Sequence, residues 1–290
     1  NYGAPEADVL IVGRMAGMAA LGLYHRAYQL MMLPARYLGQ TLERVMFPAM
    51  VKTQGRRTAL ARVYLTSTTA IALIVTPMSA VMCISAPEIV LVLLGEQWIG
   101  AVSPFQLLSI GVLFRTSYKL GDSLAKAQGA LLQRSKREAM YLVSMVLGSL
   151  IGVRWGITGV AAGVLVAVAM NYFGAAQMSL GILGLRWKDY WECHIGGVVL
   201  ATAAGAAAVI FRSIAQALGV STFANLLLTT IGSVVASLCI AAYLPRMLGS
   251  RAVSTIDTVL QALPEPLMAR TGLSGVARRY SDARLSVANM

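Results

Sequence analysis

The chain has 290 residues, of which 57% are hydrophobic and 12% are charged, and its mean hydropathy is +0.69. Because soluble domains average about 25% charged residues, this composition excludes a soluble globular domain, a disordered chain, a disulfide scaffold and a coiled coil. The net charge is +12, from 24 Lys and Arg against 12 Asp and Glu. In a membrane protein such an excess indicates either basic cytoplasmic loops or an anionic substrate.

The apolar residues cluster into segments long enough to cross a membrane. Residues 7–20 are typical of the end of a helix, and residues 22–50 are apolar but carry several charges. Since a bilayer core needs about 20 apolar residues per helix, the windows without charged residues that follow predict spans near 63–84, 99–122, 138–154, 156–180, 193–215 and 222–245. The predicted fold is an all-α polytopic membrane helix bundle with about seven full spans and a partial N-terminal one.

Basic residues concentrate in alternate loops. Of the 24 Lys and Arg, 16 lie in residues 50–63, 126–138, 186–192 and the tail from 246, whereas the intervening loops hold two. This asymmetry follows the positive-inside rule. It predicts a multi-pass membrane protein with a cytoplasmic C-terminus.

The polar residues of the segment 22–50 recur on one side of a helix. They are Arg26, Gln29, Arg36, Gln40, Glu43 and Arg44, and the opposite face is predicted to hold Leu30, Met31, Leu38, Val45 and Met46. A charge at the middle of a membrane costs roughly 2.5–3.5 kcal/mol, and Arg36 lies near the middle of this segment. The stripe must therefore face protein or water.

A second segment repeats this pattern. Arg115, Lys119, Asp122 and Lys126 follow one another at helical spacing, with Lys126 interpreted as a loop residue. One interpretation pairs the charges internally, Arg44 with Glu43 and Lys119 with Asp122. The favoured interpretation is a water-filled cationic cavity formed by Arg26, Arg36, Arg44, Arg115 and Lys119, because at most two acids, Glu43 and Asp122, face five bases. Such a cavity suits a phosphate, which accepts bidentate hydrogen bonds from Arg.

Glycines spaced by four residues predict close packing between membrane helices. They are Gly148, Gly152 and Gly156, followed by Gly159 and Gly163. No glycine pattern matches a nucleotide-binding loop, and no Ser/His/Asp set or HExxH motif is present. We therefore expect a protein that is not an enzyme, with no cofactor, no metal site and no nucleic-acid partner.

Four short motifs resemble bacterial polysaccharide flippases. Residues 7–14 (ADVLIVGR) and 20–29 (ALGLYHRAYQ) are similar to the junction of helices seven and eight in Wzx/WzxC-type exporters of the multidrug/oligosaccharidyl-lipid/polysaccharide superfamily. Residues 94–98 (LGEQW) resemble their outer loop after helix nine, and residues 155–160 (WGITGV) resemble the start of helix twelve. The order of these motifs matches the order in the family.

The resemblance implies a fold and a substrate. Family members have two six-helix bundles, often with two further helices. Residues 1–186 would then be the second bundle with its first helix truncated, residues 187–248 the two additional helices, and residues 249–290 a basic, weakly structured cytoplasmic tail. The implied activity is the flipping of undecaprenyl-pyrophosphate-linked oligosaccharide repeat units by alternating access, for lipopolysaccharide or exopolysaccharide synthesis. Membrane lipid and the polysaccharide polymerase or export machinery are the implied partners.

Three other functions stay open on the sequence. A multidrug antiporter of the same superfamily would usually handle cations, against which the cationic stripe argues. A non-transporting scaffold of an envelope polysaccharide complex would not need the stripe. A membrane glycosyltransferase would need acids at a membrane face, where the outer loop offers only Glu88 and Glu96.

Overall fold

A computed structural model describes residues 7–261 and 274–288, which form helices without a strand. The helices are α1 (Ala7–Met15), α2 (Met18–Lys52), α3 (Arg57–Ile84), α4 (Ala86–Leu93), α5 (Val102–Ile110), α6 (Val112–Ala127), α7 (Leu131–Gly152), α8 (Gly156–Leu183), α9 (Trp187–Ala217), α10 (Thr222–Tyr243), α11 (Ser250–Gln261) and α12 (Ser274–Ala288). Short 3-10 turns join several of them at Glu96–Ala101, Val153–Trp155 and Pro245–Leu248. The predicted all-α membrane bundle is confirmed.

Five helical stretches in the described residues are long and apolar enough to cross a membrane. One of them, Leu131–Leu183, contains two helices, because the chain turns at Val153–Trp155 between α7 and α8. The 35-residue helix α2 is not among the five, since its charged face lowers its hydropathy. The sequence-based count of seven full spans included α2 and counted α7 and α8 separately, which accounts for the difference.

The α7–α8 hairpin depends on its glycines. A Cβ added at Gly148 would lie 2.7 Å from the Gly163 carbonyl oxygen, and one added at Gly152 would collide with the Gly159 backbone. The two helices therefore run antiparallel with their backbones in contact. The predicted close packing is confirmed for Gly148, Gly152, Gly159 and Gly163, and the partner is the adjacent helix, whereas a Cβ at Gly156 would meet nothing within 4 Å.

The core lies between α2, α3, α5, α6 and α8. Its largest fully buried side chains include Tyr24, Met31, Phe105, Leu120 and Tyr172. Helix α9 packs along α3, with Gly197 directly against the Ala72 carbonyl, and α10 packs along α9.

Ion pairs show which helix ends share a side of the bundle. Arg212 Nε of α9 lies 2.7 Å from Glu88 Oε1 of α4, which brings together two chain segments that contain few basic residues. At the other end, Arg251 Nη2 lies 3.0 Å from Asp189 Oδ1, and its Nε lies 3.1 Å from Glu192 Oε2. Loops that the positive-inside rule assigns to one side of the membrane are therefore neighbours in the structure.

The C-terminal tail differs from the expectation of weak structure. Helices α11 and α12 pack on each other, and α11 also packs on α9 while α12 contacts α10. Leu248, Val253 and Tyr280 lie in a buried cluster that includes Leu200 of α9. Tyr280 donates a 2.6 Å hydrogen bond to the Ala241 carbonyl, and burial raises the pKa of Tyr280 to about 12. Both helices are held in place because each has an apolar face to bury.

The domain boundaries themselves stay a prediction. Pro264 and Pro266, on which the expectation of a weakly structured tail rested, lie outside the described residues.

We predict that Gly163→Ala destabilises the protein by about 1–3 kcal/mol, because the added methyl group overpacks a backbone contact. Gly181→Ala is the matched control in the same helix, since a Cβ there meets nothing within 4 Å. It should be neutral or stabilise by up to about 1 kcal/mol through helix propensity. Thermal unfolding in detergent measures both, and equal effects would contradict the packing argument.

Candidate functional site

The polar stripe of α2 is exposed, and the other side of the helix is buried. Arg26, Gln29, Arg36, Gln40 and Arg44 are all exposed. The buried side consists of Tyr24, Ala27, Met31, Ala35 and Gly39, spaced by three or four residues.

The buried face of α2 is rotated relative to the predicted one. Met31 is buried as expected, but Val45 is 57% exposed. The buried face instead includes the small residues Ala27 and Ala35. Small side chains let α6 approach α2 closely, which hydrophobicity alone did not indicate.

The stripe begins near the outer end of the bundle at Arg26. Its guanidinium lies 5.2 Å from the ring centroid of Trp98, and its Nη1 donates a 3.2 Å hydrogen bond to Gln29 Oε1. Trp98 is partly buried against the core, and a cation–π contact with such a ring holds the Arg26 side chain in place at a gain of about 0.5–1 kcal/mol. The guanidinium remains exposed.

Lys119 of α6 reaches the stripe across Gly39. A Cβ on Gly39 would lie 2.8 Å from Lys119 Cδ, so the lysine stem occupies the space that this glycine leaves open. The ammonium group interacts electrostatically with Glu43 and with Arg36. Lys119 of α6 is therefore half-buried and lies beside the stripe of α2.

The inner end of the stripe contains the one acid on α2. Glu43 Oε1 lies 2.5 Å from Lys126 Nζ, so Glu43 pairs with α6 and not with the adjacent Arg44. Lys126 belongs to helix α6, which corrects its interpretation as a loop residue. Beside this pair is a pocket of about 410 Å³ lined by Gln40, Glu43, Arg44, Phe47, Pro48 and Lys126.

Arg115 departs from the predicted cavity because it is only 8% exposed. Its guanidinium lies 5.2 Å from the ring centroid of Tyr28, and its Nη2 has no hydrogen-bond partner. Nearby, Tyr24 donates a 2.6 Å hydrogen bond to the fully buried Asp8, whose carboxylate interacts electrostatically with Arg115. Arg115 thus belongs to a buried polar network behind α2 and not to the exposed stripe.

Asp122 also has partners other than the predicted Lys119. It accepts a hydrogen bond from Arg137 Nη2, and Arg134 Nε lies 3.3 Å from its Oδ1. Arg137 Nη1 donates a 2.8 Å hydrogen bond to Asn171 Oδ1 of α8. This buried cluster joins α6, α7 and α8.

The sequence did not predict that the charged residues Asp8 and Arg137 are buried. Arg137 counted as a loop residue because the predicted span began at 138, whereas α7 begins at Leu131. Asp8 appeared only within the flippase-like motif, and no spacing linked it to Tyr24. The start of α7 at Leu131 could not be predicted, because the basic residues of its first two turns are typical of a cytoplasmic loop.

The stripe keeps an excess of positive charge after these pairings. Arg26, Arg36, Arg44 and Lys119 form no ion pair with the described residues, while Glu43 is neutralised by Lys126. The exposed surface of α2 and Lys119 is hereafter called the cationic face. It can bind an anion through guanidinium and ammonium donors.

Metal chemistry finds no support in the described part of the chain, where no group of three or more His, Cys, Asp or Glu side chains could hold an ion.

Residues 1–103 match a family profile described as "Polysaccharide biosynthesis protein". The lipopolysaccharide biosynthesis protein WzxC of Escherichia coli (strain K12) is 25% identical over 198 residues, which are 66% of this chain and 39% of that protein. The resemblance to polysaccharide flippases is confirmed.

Two further relatives agree with this flippase-type resemblance. The teichuronic acid biosynthesis protein TuaB of Bacillus subtilis (strain 168) is 27% identical over 122 residues, 42% of this chain and 25% of that protein. An uncharacterized membrane protein in the cps region of Klebsiella pneumoniae is 29% identical over 188 residues, 62% of this chain and 38% of that protein. The chain thus spans between a quarter and two fifths of these relatives. No solved structure gives a significant match.

We predict that Asp122→Asn destabilises this flippase-type chain by about 3–5 kcal/mol, because it leaves Arg137 as a buried cation without its carboxylate. Glu43→Gln removes one partner of the half-exposed pair with Lys126 and should cost at most about 1 kcal/mol. Chemical unfolding in detergent compares the two variants. Similar losses would show that Asp122 is not the carboxylate on which Arg137 depends.

A second prediction concerns the contact between Gly39 and Lys119. In a Lys119→Ala background, Gly39→Ala should stabilise the protein by about 0.5–1 kcal/mol through helix propensity. In the parent the gain should be smaller, because the methyl group must displace the end of the lysine side chain. Thermal unfolding of the four proteins measures the coupling, and equal effects of Gly39→Ala in the two backgrounds would refute the contact.

Proposed function

We propose that this chain is part of an inner-membrane transporter that flips lipid-linked oligosaccharide precursors of a surface polysaccharide, and that the cationic face binds the pyrophosphate of the carrier lipid. The chain carries out translocation without covalent chemistry on the substrate. The similarity to WzxC and TuaB supports the substrate class. The exposed polar face of α2 supports the position of the binding site.

The exposure of the α2 stripe is the observation that carries this proposal. Arg36 is exposed near the middle of a 35-residue helix, on the side opposite the buried Met31 and Ala35. Three arginines facing lipid would together cost on the order of 10 kcal/mol. The cationic face must therefore lie against water or against another part of the transporter.

A pyrophosphate group fits the chemistry of this face. Arg36 and Arg44 offer forked donors, and Lys119 adds a compact charge between α2 and α6. Phosphate oxygens accept paired hydrogen bonds from Arg and strengthen them with charge. Sugars would contribute few charges, so recognition of the pyrophosphate would let one site serve different repeat units.

Alternating access would follow from the position of this face on the bundle surface. In transporters built from two related bundles, the substrate lies between them and the bundles rock around it. The cationic face would be one wall of that path. Two prolines, Pro34 and Pro48, lie within α2 close to the stripe, where freed backbone carbonyls can be satisfied by cavity water.

The competing functions fit the face less well. A multidrug antiporter for cations would meet four cations that lack acidic partners, and its substrate would be repelled. A scaffold would gain nothing from charges that are expensive in a membrane. The predicted contacts with polymerase or export machinery have no separate observation behind them and stay predictions.

We predict that Arg36→Gln lowers polysaccharide export about tenfold or more while membrane abundance stays near the parental level. The lost charge-assisted hydrogen bonds are worth about 1.5–3 kcal/mol, which corresponds to that factor. Lys119→Gln should act similarly, and Arg36→Lys should lie between the parent and Arg36→Gln because it keeps the charge without the fork. Surface polysaccharide is measured in cells whose own copy of the gene carries each change.

Arg56→Gln is the matched control, since Arg56 is an exposed residue in the basic loop before α3 and lies outside the cationic face. It should leave export near the parental level. Parental export from both Arg36→Gln and Lys119→Gln would reject the pyrophosphate site and favour the scaffold.

A further inference from the structure

A long groove runs along the outside of the α7–α8 hairpin. It consists of two adjoining pockets of about 660 and 360 Å³, which share Ser144 and Met170 as lining residues. Its rims are exposed apolar side chains, with Ile151 56% exposed and Val166 60% exposed. These side chains face the lipid if the hairpin crosses the membrane. The groove shares no lining residue with the cationic face.

The apolar part of the groove is a consequence of the glycine contact. Gly148, Gly152, Gly159 and Gly163 bring the two backbones together and contribute no side chains of their own. The larger neighbours on each helix therefore stand above the line of contact. The resulting depression is lined almost entirely by carbon atoms.

The other end of the groove is polar and positively charged. It is lined by Gln133, Lys136, Arg137, Asn171 and Gln177. Lys136 is exposed and forms no ion pair with the described residues.

Arg137 gives this polar end a built donor. The residue is only 7% exposed, and its side chain is fixed by Asp122 and Asn171 through its two terminal nitrogens. Its Nε is buried and has no hydrogen-bond partner. Arg137 is therefore a fixed positive group behind the exposed ammonium of Lys136, which is the charge that a ligand in the groove meets first.

We propose that the groove binds an anionic phospholipid, with the phosphate at Lys136 and Arg137 and an acyl chain along the glycine contact. Lys136 and Gly148 are twelve residues apart on α7, which is about 18 Å along a helix. Half of a hydrocarbon core of about 30 Å is close to this length. The polar end also lies at the end of the bundle that carries most basic loops, where the positive-inside rule places the cytoplasmic leaflet.

The proposal does not depend on the transport function, because it concerns a different surface and a structural lipid. One bound phospholipid would cover the exposed line of contact between α7 and α8 and would add a counter-charge to Lys136. Both effects would stabilise the hairpin against which α5 and α6 pack.

The test is retention of lipid by the full chain in detergent containing equal amounts of phosphatidylglycerol and phosphatidylcholine, read by native mass spectrometry. The parent should retain phosphatidylglycerol in preference to phosphatidylcholine. Lys136→Gln should reduce that preference about five- to tenfold, because it removes the exposed charge at the headgroup. Ala162→Phe should fill the groove and lower the retention of both lipids.

Two matched variants serve as controls. Lys188→Gln removes an exposed lysine from the same end of the bundle, and Ala206→Phe enlarges an exposed alanine of α9. Both should behave as the parent. The proposal is overturned if Lys136→Gln retains phosphatidylglycerol as the parent does, or if Lys188→Gln lowers it equally, which would indicate diffuse attraction. Preferential retention of an added polyprenyl phosphate would also overturn the assignment to a phospholipid.

Discussion

A charge facing lipid at the centre of a bilayer costs roughly 2.5–3.5 kcal/mol, and α2 places its three arginines on one exposed face. This cost determines which side of α2 can pack in the core and which side needs a polar environment. The opposite face of α2 is apolar and small enough to pack against α6, so the helix has one side for the core and one for an aqueous surface. Without a polar environment beyond the cationic face, α2 could not stay in a membrane in this orientation.

The interior charges obey the same constraint in a different way. Arg137 and Asp122 neutralise each other inside the bundle, and Arg115 lies over Tyr28 close to Asp8. Each buried cation has an acid or an aromatic ring beside it. The cations of the cationic face form no ion pair with the described residues, and only Arg26 lies over an aromatic ring, that of Trp98. This distinguishes a surface available to a ligand from charges that hold helices together.

The hairpin of α7 and α8 shows how packing creates a surface feature. Glycine contacts such as Gly148 against Gly163 bring two helices together and leave a groove on the outer side. The same chain segment carries the Arg137 cluster at its inner end. One pair of helices therefore combines a tight backbone contact, an apolar groove and a positively charged end, and this combination suits an amphiphile of the surrounding bilayer.

The sequence by itself determined the all-α membrane fold, the approximate positions of the long helices, the side of the bundle on which the basic segments lie and the polar face of α2, because these depend on hydropathy and on periodicity along single helices. Only the tertiary structure decided that Glu43 pairs with Lys126, that Asp122 pairs with Arg137, and that Arg115 is buried. Spacing along one helix fixes which face a side chain occupies. It does not fix which residues of other helices lie opposite, since that depends on how the helices cross and how far each is shifted along its neighbour.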